Sequence, residues 1–383
     1  MKKFLLLAAT VAMAASASAQ EPCAGTLTQD WKVTDGVPAW GDARQGFGMN
    51  GKFYINDKSE ATIKIYGQNG LTNETLPGGS NVGITRDQAG NIIVSTSAWP
   101  SSGDAKAKLI SADGKTVKEI SLMGEDGVGV GGRCDFLGEA EGNVFDAEGG
   151  GNIYVAGATN SGVIAVPVKG GTVAAEDVME IPVTGVTLNP SSSTVINFFK
   201  MVEDEEEGTQ GCLYVTRNSA PVLCTVGDDN LVGTSITLPS KNAVNGAYPF
   251  KLGGYTLYAY PSGTNYLDGF SIAEAGAETP VVQYVETLSV NPNTCQSNWV
   301  NVEKVDDLTA NIYQYVPGAY MAKYTFTLNK SITGVENNVA NKTVASTTYY
   351  NVAGVASATP FTGVNVKVVK YTDGTKKAVK VIK

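Results

Sequence analysis

Six short runs of β-forming residues recur along the chain, each after a turn containing Gly or Asn: GKFYIND (51–57), GNIIVST (90–96), GNIYVAG (151–157), GCLYVTR (211–217), GYTLYAY (254–260) and TANIYQY (309–315). With Phe53, Ile92, Ile153, Leu213, Leu257 and Ile312 as equivalent anchors, the spacings are 39, 61, 60, 44 and 55 residues. An imperfect repeat of this period, made only of strands, is the pattern of blades set around an axis. A helical alternative fails, because 44 glycines and frequent Pro, Asn and Ser leave no long segment with an apolar period of 3.6.

Each repeat reads as four strands, inner to outer. The first is QGFGM, KFYIND, TIKIYG and LTNETL; the second is NVGIT, NIIVSTS, AKLISA and VKEISL; the third is NVFDA, NIYVAGA, VIAVPV and VMEIPV. The fourth runs from VINFFKMV to SITL and the fifth from GAYPFKL to VVQYVETL. The sixth has WVNVEKV, NIYQYV and AKYTFTL but no outer strand after Leu328, while LTQDWKVT (27–34) is an orphan strand before the first repeat. Pairing the two would remove two exposed sheet edges. The expected fold is therefore all-β: a six-bladed β-propeller over residues 20–331, closed by an N-terminal strand, then a small C-terminal β-module over 332–383.

Residues 1–19 read as a signal peptide. Lys2 and Lys3 precede an apolar run from Phe4 to Ala15, and Ala17-Ser18-Ala19 supplies the small residues before a cleavage site. Lipid attachment at Cys23 is the rival reading, although Gln20-Glu21-Pro22 lacks the pattern of such a site. No later segment approaches the roughly 20 apolar residues of a helical span. The expected location is the outer surface or the extracellular medium, with the periplasm as the fallback.

The formal charge of −9 hides an asymmetry. Residues 332–383 carry seven lysines against Glu336 and Asp373, a net of +5, and once Lys2 and Lys3 leave with the leader the body is at −16. A body so acidic is a poor partner for nucleic acid, whose affinity comes from cationic contacts to phosphate. The chain also has no histidine, which removes His-assisted nucleophiles, His metal sites and a His general base. Any catalysis falls to carboxylates, lysine, tyrosine or an oxygen-bound cation, and a divalent cation is the one candidate cofactor.

Five cysteines in an exported chain allow two disulfides. Cys212 and Cys224 flank a hairpin and form one candidate pair. Cys23 and Cys295 form the other, at the segments where the ring would close; Cys134 is left over. Buried, unpaired thiols are the other reading. The acidic run Glu203 to Glu207 reads as a solvated loop rather than a cation site, because contiguous like charges repel.

Asparagine introduces several inner strands, at Asn81, Asn143, Asn245 and Asn298, and carboxamides at one ring level could hold a cation or a polar ligand. Asn is equally a normal turn residue before a strand. The same face should receive Trp40, Arg44, Trp99, Arg133, Arg217, Tyr260 and Trp299. There are four arginines against 24 lysines, and three of the four fall in these loops. Guanidinium and indole groups in a concave mouth suit an anionic or glycan-like ligand.

The order YYNVAG, PFTGVNVKVV and the terminal KKAVKVIK resembles the C-terminal sorting domain of proteins exported by type IX secretion, with departures at Asn365 and at Val355-Ala356. The resemblance covers about 50 residues and implies passage across an outer membrane, with the secretion machinery as a partner. A plain β-sandwich accessory module is the alternative. Turns such as DQAGNIIV and DAEGGGNIYV resemble those of secreted NHL-type and lactonase-type propellers, in which axial carboxylates and asparagines hold a divalent cation. Two functions follow: a secreted or cell-surface propeller binding a carbohydrate or peptide in its central mouth, or a cation-dependent hydrolase or lyase. The first is favoured, since no repeat position supplies an inward acidic residue among the asparagines.

Overall fold

A computed structural model of the chain describes residues 23–96, 105–200, 210–216, 219–227, 229–239, 246–262, 269–286, 298–329, 344–351, 355–361, 364–372 and 376–382. It divides into two compact units, Met1–Lys330 and Ser331–Lys383. The described residues are nearly all β, with a single short 3-10 turn at Ala175–Asp177. Among them no helix is long and apolar enough to cross a membrane.

The first unit opens with β1 (Gly25–Val33), whose partner comes from the far end of the unit. The first sheet is the meander β2 (Gly46–Met49), β3 (Lys52–Asp57), β4 (Thr62–Gly67) and β5 (Gly70–Pro77). The second is β6 (Ile84–Arg86), β7 (Ile92–Ser95), β8 (Lys106–Ile110) and β9 (Val117–Ser121). In the third, β10 (Glu141–Gly142), β11 (Gly151–Val155) and β12 (Val163–Lys169) run in order, and β13 (Thr172–Val173) and β14 (Met179–Ile181) share the outer side of β12.

The chain then crosses outward as β15 (Val183–Thr184), which pairs parallel to the outer edge of the fourth sheet. That sheet comprises β16 (Val195–Lys200), β17 (Gln210–Val215), β18 (Val222–Val226) and β19 (Leu231–Ser235). The fifth is β20 (Tyr248–Leu252), β21 (Tyr255–Ser262), β22 (Gly269–Ala273) and β23 (Val282–Val285). The sixth is β24 (Trp299–Lys304), β25 (Thr309–Val316) and β26 (Tyr320–Leu328), and β1 pairs antiparallel with β26 from Gly25↔Leu328 to Val33↔Met321.

Burial explains the sequence pattern. The second strands are covered on both faces, so they read as continuous apolar runs, and all six anchors are 0–2% exposed. The outer strand β5 alternates half-buried and exposed residues instead, as a strand with one wet face does. The core lies in the seams between sheets rather than in one interior. Separate apolar clusters join the first and second sheets, the second and third, the third and fourth, the fourth and fifth, the fifth and sixth, and the sixth and first.

One strand differs from expectation. NVFDA (143–147) is not the inner strand of the third sheet; that role falls to the segment reaching β10, two residues long. Gly142 has φ +69, a left-handed conformation that turns the chain, and Asn143 lies in the turn that follows. Val144 is nonetheless fully buried, which is why the run imitates a strand in sequence. The acidic run 203–207 lies outside the described residues.

The second unit is one antiparallel sheet, β27 (Val344–Asn351), β28 (Ala356–Ser357), β29 (Val364–Tyr371) and β30 (Lys376–Ile382), in the order β28-β27-β29-β30.

Candidate functional site

The inner strands β2, β6, β16, β20 and β24 and the 135–142 segment lie side by side: β2 meets β6 and β24, and β20 meets β16 and β24. A parallel bridge joins Asp87 to Ala140, and Phe198 N–H donates to Glu139 O at 2.9 Å. Buried carboxamides stitch neighbouring inner strands where regular pairing stops. Asn197 accepts from Glu139 N–H at 3.0 Å and donates to Ala247 O at 3.0 Å, so one side chain holds backbone of the third, fourth and fifth sheets. Gln45 accepts from Ile84 N–H and Leu137 N–H, both at 3.1 Å, and donates to Leu137 O. Asn301 accepts from Gly48 N–H at 3.1 Å and joins the sixth sheet to the first. An unpaired buried peptide group would cost about 1–3 kcal/mol, so these amides are structural necessities.

At the N-terminal end of the inner strands the loops assemble a charged cluster. After Pro38 the chain makes a helical turn, with Asp42 and Ala43 N–H both donating to Ala39 O, and this puts Trp40 and Arg44 on one side. The Arg44 guanidinium lies 3.8 Å from the Trp40 ring centroid, a cation–π contact. Its Nη1 is 3.7 Å from Asp135 Oδ2, while Arg133 Nε donates to Asp135 Oδ1 at 2.6 Å. Asp135 is 3% exposed and its N–H donates to Ser192 O, so the carboxylate is fixed between loops of three sheets. Two guanidiniums thus face this one carboxylate. The Arg133 side chain, 29% exposed, is the more accessible of the two.

A second ionic pair lies further along the inner strands. Arg86 Nη2 donates to Val302 O at 3.3 Å, and its Nε stands 3.8 Å from Glu139 Oε2. That Nε and Oε2 are sealed from solvent without a hydrogen-bond partner. Burial pushes the Glu139 carboxyl up to about 7, with Asp87 adding to the rise and Arg86 opposing it. Opposite, Glu303 accepts from Asn311 Nδ2 at 3.0 Å and Tyr313 OH at 2.7 Å; burial would raise its carboxyl, but these bonds, Asn50 N–H and Arg86 hold it below the ordinary value. Among the described residues no group of three or more Cys, Asp or Glu converges on a metal position.

The structure brings Trp40, Arg44, Asn81 and Arg133 to one face. Asn81 acts there as a brace, donating to Ser95 Oγ and Cys134 O at 3.0 Å and accepting from Val82 N–H. Asn298 is a brace as well, 1% exposed and bonded to Gly269 O and Gln314. Asn143 belongs to the opposite end, where its Oδ1 accepts from Asn91 Nδ2 at 2.8 Å; the short β10 displaced it. Tyr260 is not in the mouth: β21 continues to Ser262, and the ring is fully buried between the fourth and fifth sheets. Trp299 is core, stacked on Phe136 at 5.5 Å. Trp99, Arg217 and Asn245 lie outside the described residues.

Cys212 and Cys224 face each other across β17 and β18 and stand as two buried thiols. Cys23–Cys295 cannot be placed, since Cys295 lies outside the described residues. Burial and Asp135 push the Cys134 thiol up to about 12, so it is no nucleophile at neutral pH. Asp135, Arg86 and Glu139 were not singled out in the sequence. Only Asp135 carried a signal, two residues after Arg133 in an extended segment and hence on the same side.

No protein-family model matches the chain, and no curated protein does. Among solved structures, the chain is similar to a protein of unknown function from Dyadobacter fermentans, at 11% identity and TM-score 0.46, covering 79% of this chain and 99% of that one. It is also similar to the sialidase of Trypanosoma rangeli, at 12% identity and TM-score 0.42, covering 79% and 59%. A putative exo-beta-1,3-galactanase from Bifidobacterium bifidum aligns at 12% identity and TM-score 0.37, covering 66% and 91%. The propeller-like, all-β architecture of this chain rests on its own strand pairing.

Proposed function

We propose that this chain is an exported, six-bladed binding propeller, closed by β1, that takes a carboxylate-bearing carbohydrate or peptide at the face carrying Trp40, Arg44 and Arg133. The observation that supports this reading most is the convergence of two of the chain's four arginines on Asp135, beside a half-buried indole. Guanidinium offers bidentate geometry to a carboxylate, and the fixed Asp135 carboxylate restrains both arginines. The C-terminal unit is read as the sorting module that carries the body through an outer membrane, and deletion of residues 331–383 should then stop surface delivery.

The binding reading is tested by a thermal-shift screen of the mature protein with uronate-containing oligosaccharides, their neutral counterparts and acidic peptides, since a ligand that binds only the native state raises its melting temperature. Arg133→Ala and Trp40→Ala should each weaken binding of a carboxylate-bearing hit by about 1 kcal/mol or more, roughly fivefold. Unchanged affinity in both variants would place the site elsewhere.

A further inference from the structure

We propose that Cys212 and Cys224 are a modification site: the two thiols close into a cross-strand disulfide within the fourth sheet as the chain folds in an oxidising compartment. The pair is placed for this by register. Cys212 stands directly opposite Cys224, and directly opposed residues of an antiparallel pair project to the same face. Ile236 N–H donates to Pro221 O and Gly227 N–H to Asn230 O, so the odd-numbered residues of β18 aim their backbone at β19. Cys224 therefore aims its own at Cys212. Such a hydrogen-bonded pair has Cα atoms about 5.5 Å apart, inside the ~4.4–6.8 Å that a disulfide spans.

The surroundings set the order of events. Cys212 and Cys224 are 3% and 0% exposed, and the cluster around them holds Ala156 and Val163 of the third sheet and Ile196 of the fourth. The hydrogen bond to Cys224, and then burial, hold the Cys212 thiol well above its ordinary value. Exchange needs a thiolate, so the bond forms while the β17–β18 hairpin is still open, before the third sheet covers it. One cysteine thiolate attacks the disulfide of oxidised glutathione or a dithiol oxidoreductase. The second then displaces that mixed disulfide, so two protons leave and two electrons pass to the oxidant, which becomes the thiol form. The compartment follows from the export reading; the geometry does not depend on it.

The test is independent of export. Reduced, denatured full-length protein is refolded in a buffer of oxidised and reduced glutathione, quenched in acid, alkylated and digested with trypsin. Cleavage after Arg217 puts Cys212 in peptide 201–217 and Cys224 in peptide 218–241, so the bond appears as a linked pair of peptides. The expected result is at least a tenfold excess of the linked pair over the doubly alkylated peptides. Folded, reduced protein in the same buffer should acquire the link at least tenfold more slowly. Doubly alkylated peptides after refolding, or linkage of either cysteine to Cys23, Cys134 or Cys295, would overturn the proposal. If the reduced chain does not refold, the same digest of protein exported by its own leader decides the matter by the same two outcomes.

Discussion

Replacing Gly48 with alanine should weaken the large unit by about 2–3 kcal/mol, and the figure follows from one contact. A Cβ built on Gly48 would stand 1.9 Å from Cδ2 of Tyr313 and 2.2 Å from Cε2 and Cγ, where carbons prefer about 3.5–4.0 Å. The ring cannot swing aside, because it is fully buried and its hydroxyl donates to Glu303 at 2.7 Å while accepting from Gly51 N–H at 3.1 Å. Relief requires either parting the first and sixth sheets, an overpacking cost of about 1–3 kcal/mol, or rotating the ring and losing two hydrogen bonds at about 1 kcal/mol each. All four tryptophans lie before residue 331, so urea unfolding followed by indole fluorescence reports the large unit alone. With a slope of about 3 kcal/mol per molar the midpoint should fall by roughly 0.7–1 M. Gly41→Ala is the control, since nothing lies within 4 Å of its added carbon, and it should stay within about 0.5 kcal/mol of the parent. A Gly48→Ala midpoint as close as that control's would refute the packing of the first sheet on the sixth.

Glu139 has a folded pKa of about 7 against an ordinary 4.5, so the native state favours its protonated form. That stabilisation is complete below about pH 4.5 and is lost as pH rises through 7. Glu139→Gln should therefore gain on the parent between pH 5 and 8, by an amount on the order of 2–3 kcal/mol; a flat difference curve would mean the carboxyl is not buried as described. Asn197→Ala strands Glu139 N–H and Ala247 O and should cost about 2–3 kcal/mol, read in the same urea assay. A chain ended after Asn329 should melt within about 2 °C of full length, because the large unit holds its own six clusters; failure to fold would make the tail part of that core.

What could be read in the sequence was whatever burial imposes on every repeat. The anchors Phe53, Ile92, Ile153, Leu213, Leu257 and Ile312 sit between two neighbouring sheets and had to be apolar. The orphan run around Trp31 and the missing partner of Leu328 likewise announced their pairing. Reading failed where one strand departs from the common length. Asn143 was displaced by the shortness of β10, and Tyr260 by the extension of β21, because an apolar pattern reports burial and not which element supplies it. Arg86 and Glu139 meet only through the sixth, second and third sheets together, and neither has a local spacing that marks it. The arginine cluster was half legible: the scarcity of Arg pointed to Arg44 and Arg133, while Asp135, which organises them, was one acid among many.

The carboxamides between inner strands carry a consequence for how this unit comes apart. In an open stack of repeats, one end can fray while the rest persists, because each unit leans only on its neighbours. Here Asn197 belongs to the fourth sheet yet satisfies backbone of the third and fifth, and Asn301 belongs to the sixth yet satisfies the first. Loosening the fourth sheet strands peptide groups of the third and fifth, and loosening the sixth strands one of the first, so neither offers a cheap first step. Amide protons of β3, β7, β11, β17, β21 and β25 should accordingly exchange with solvent at one common, slow rate set by global opening, and a nick in an outer loop should leave that rate almost untouched.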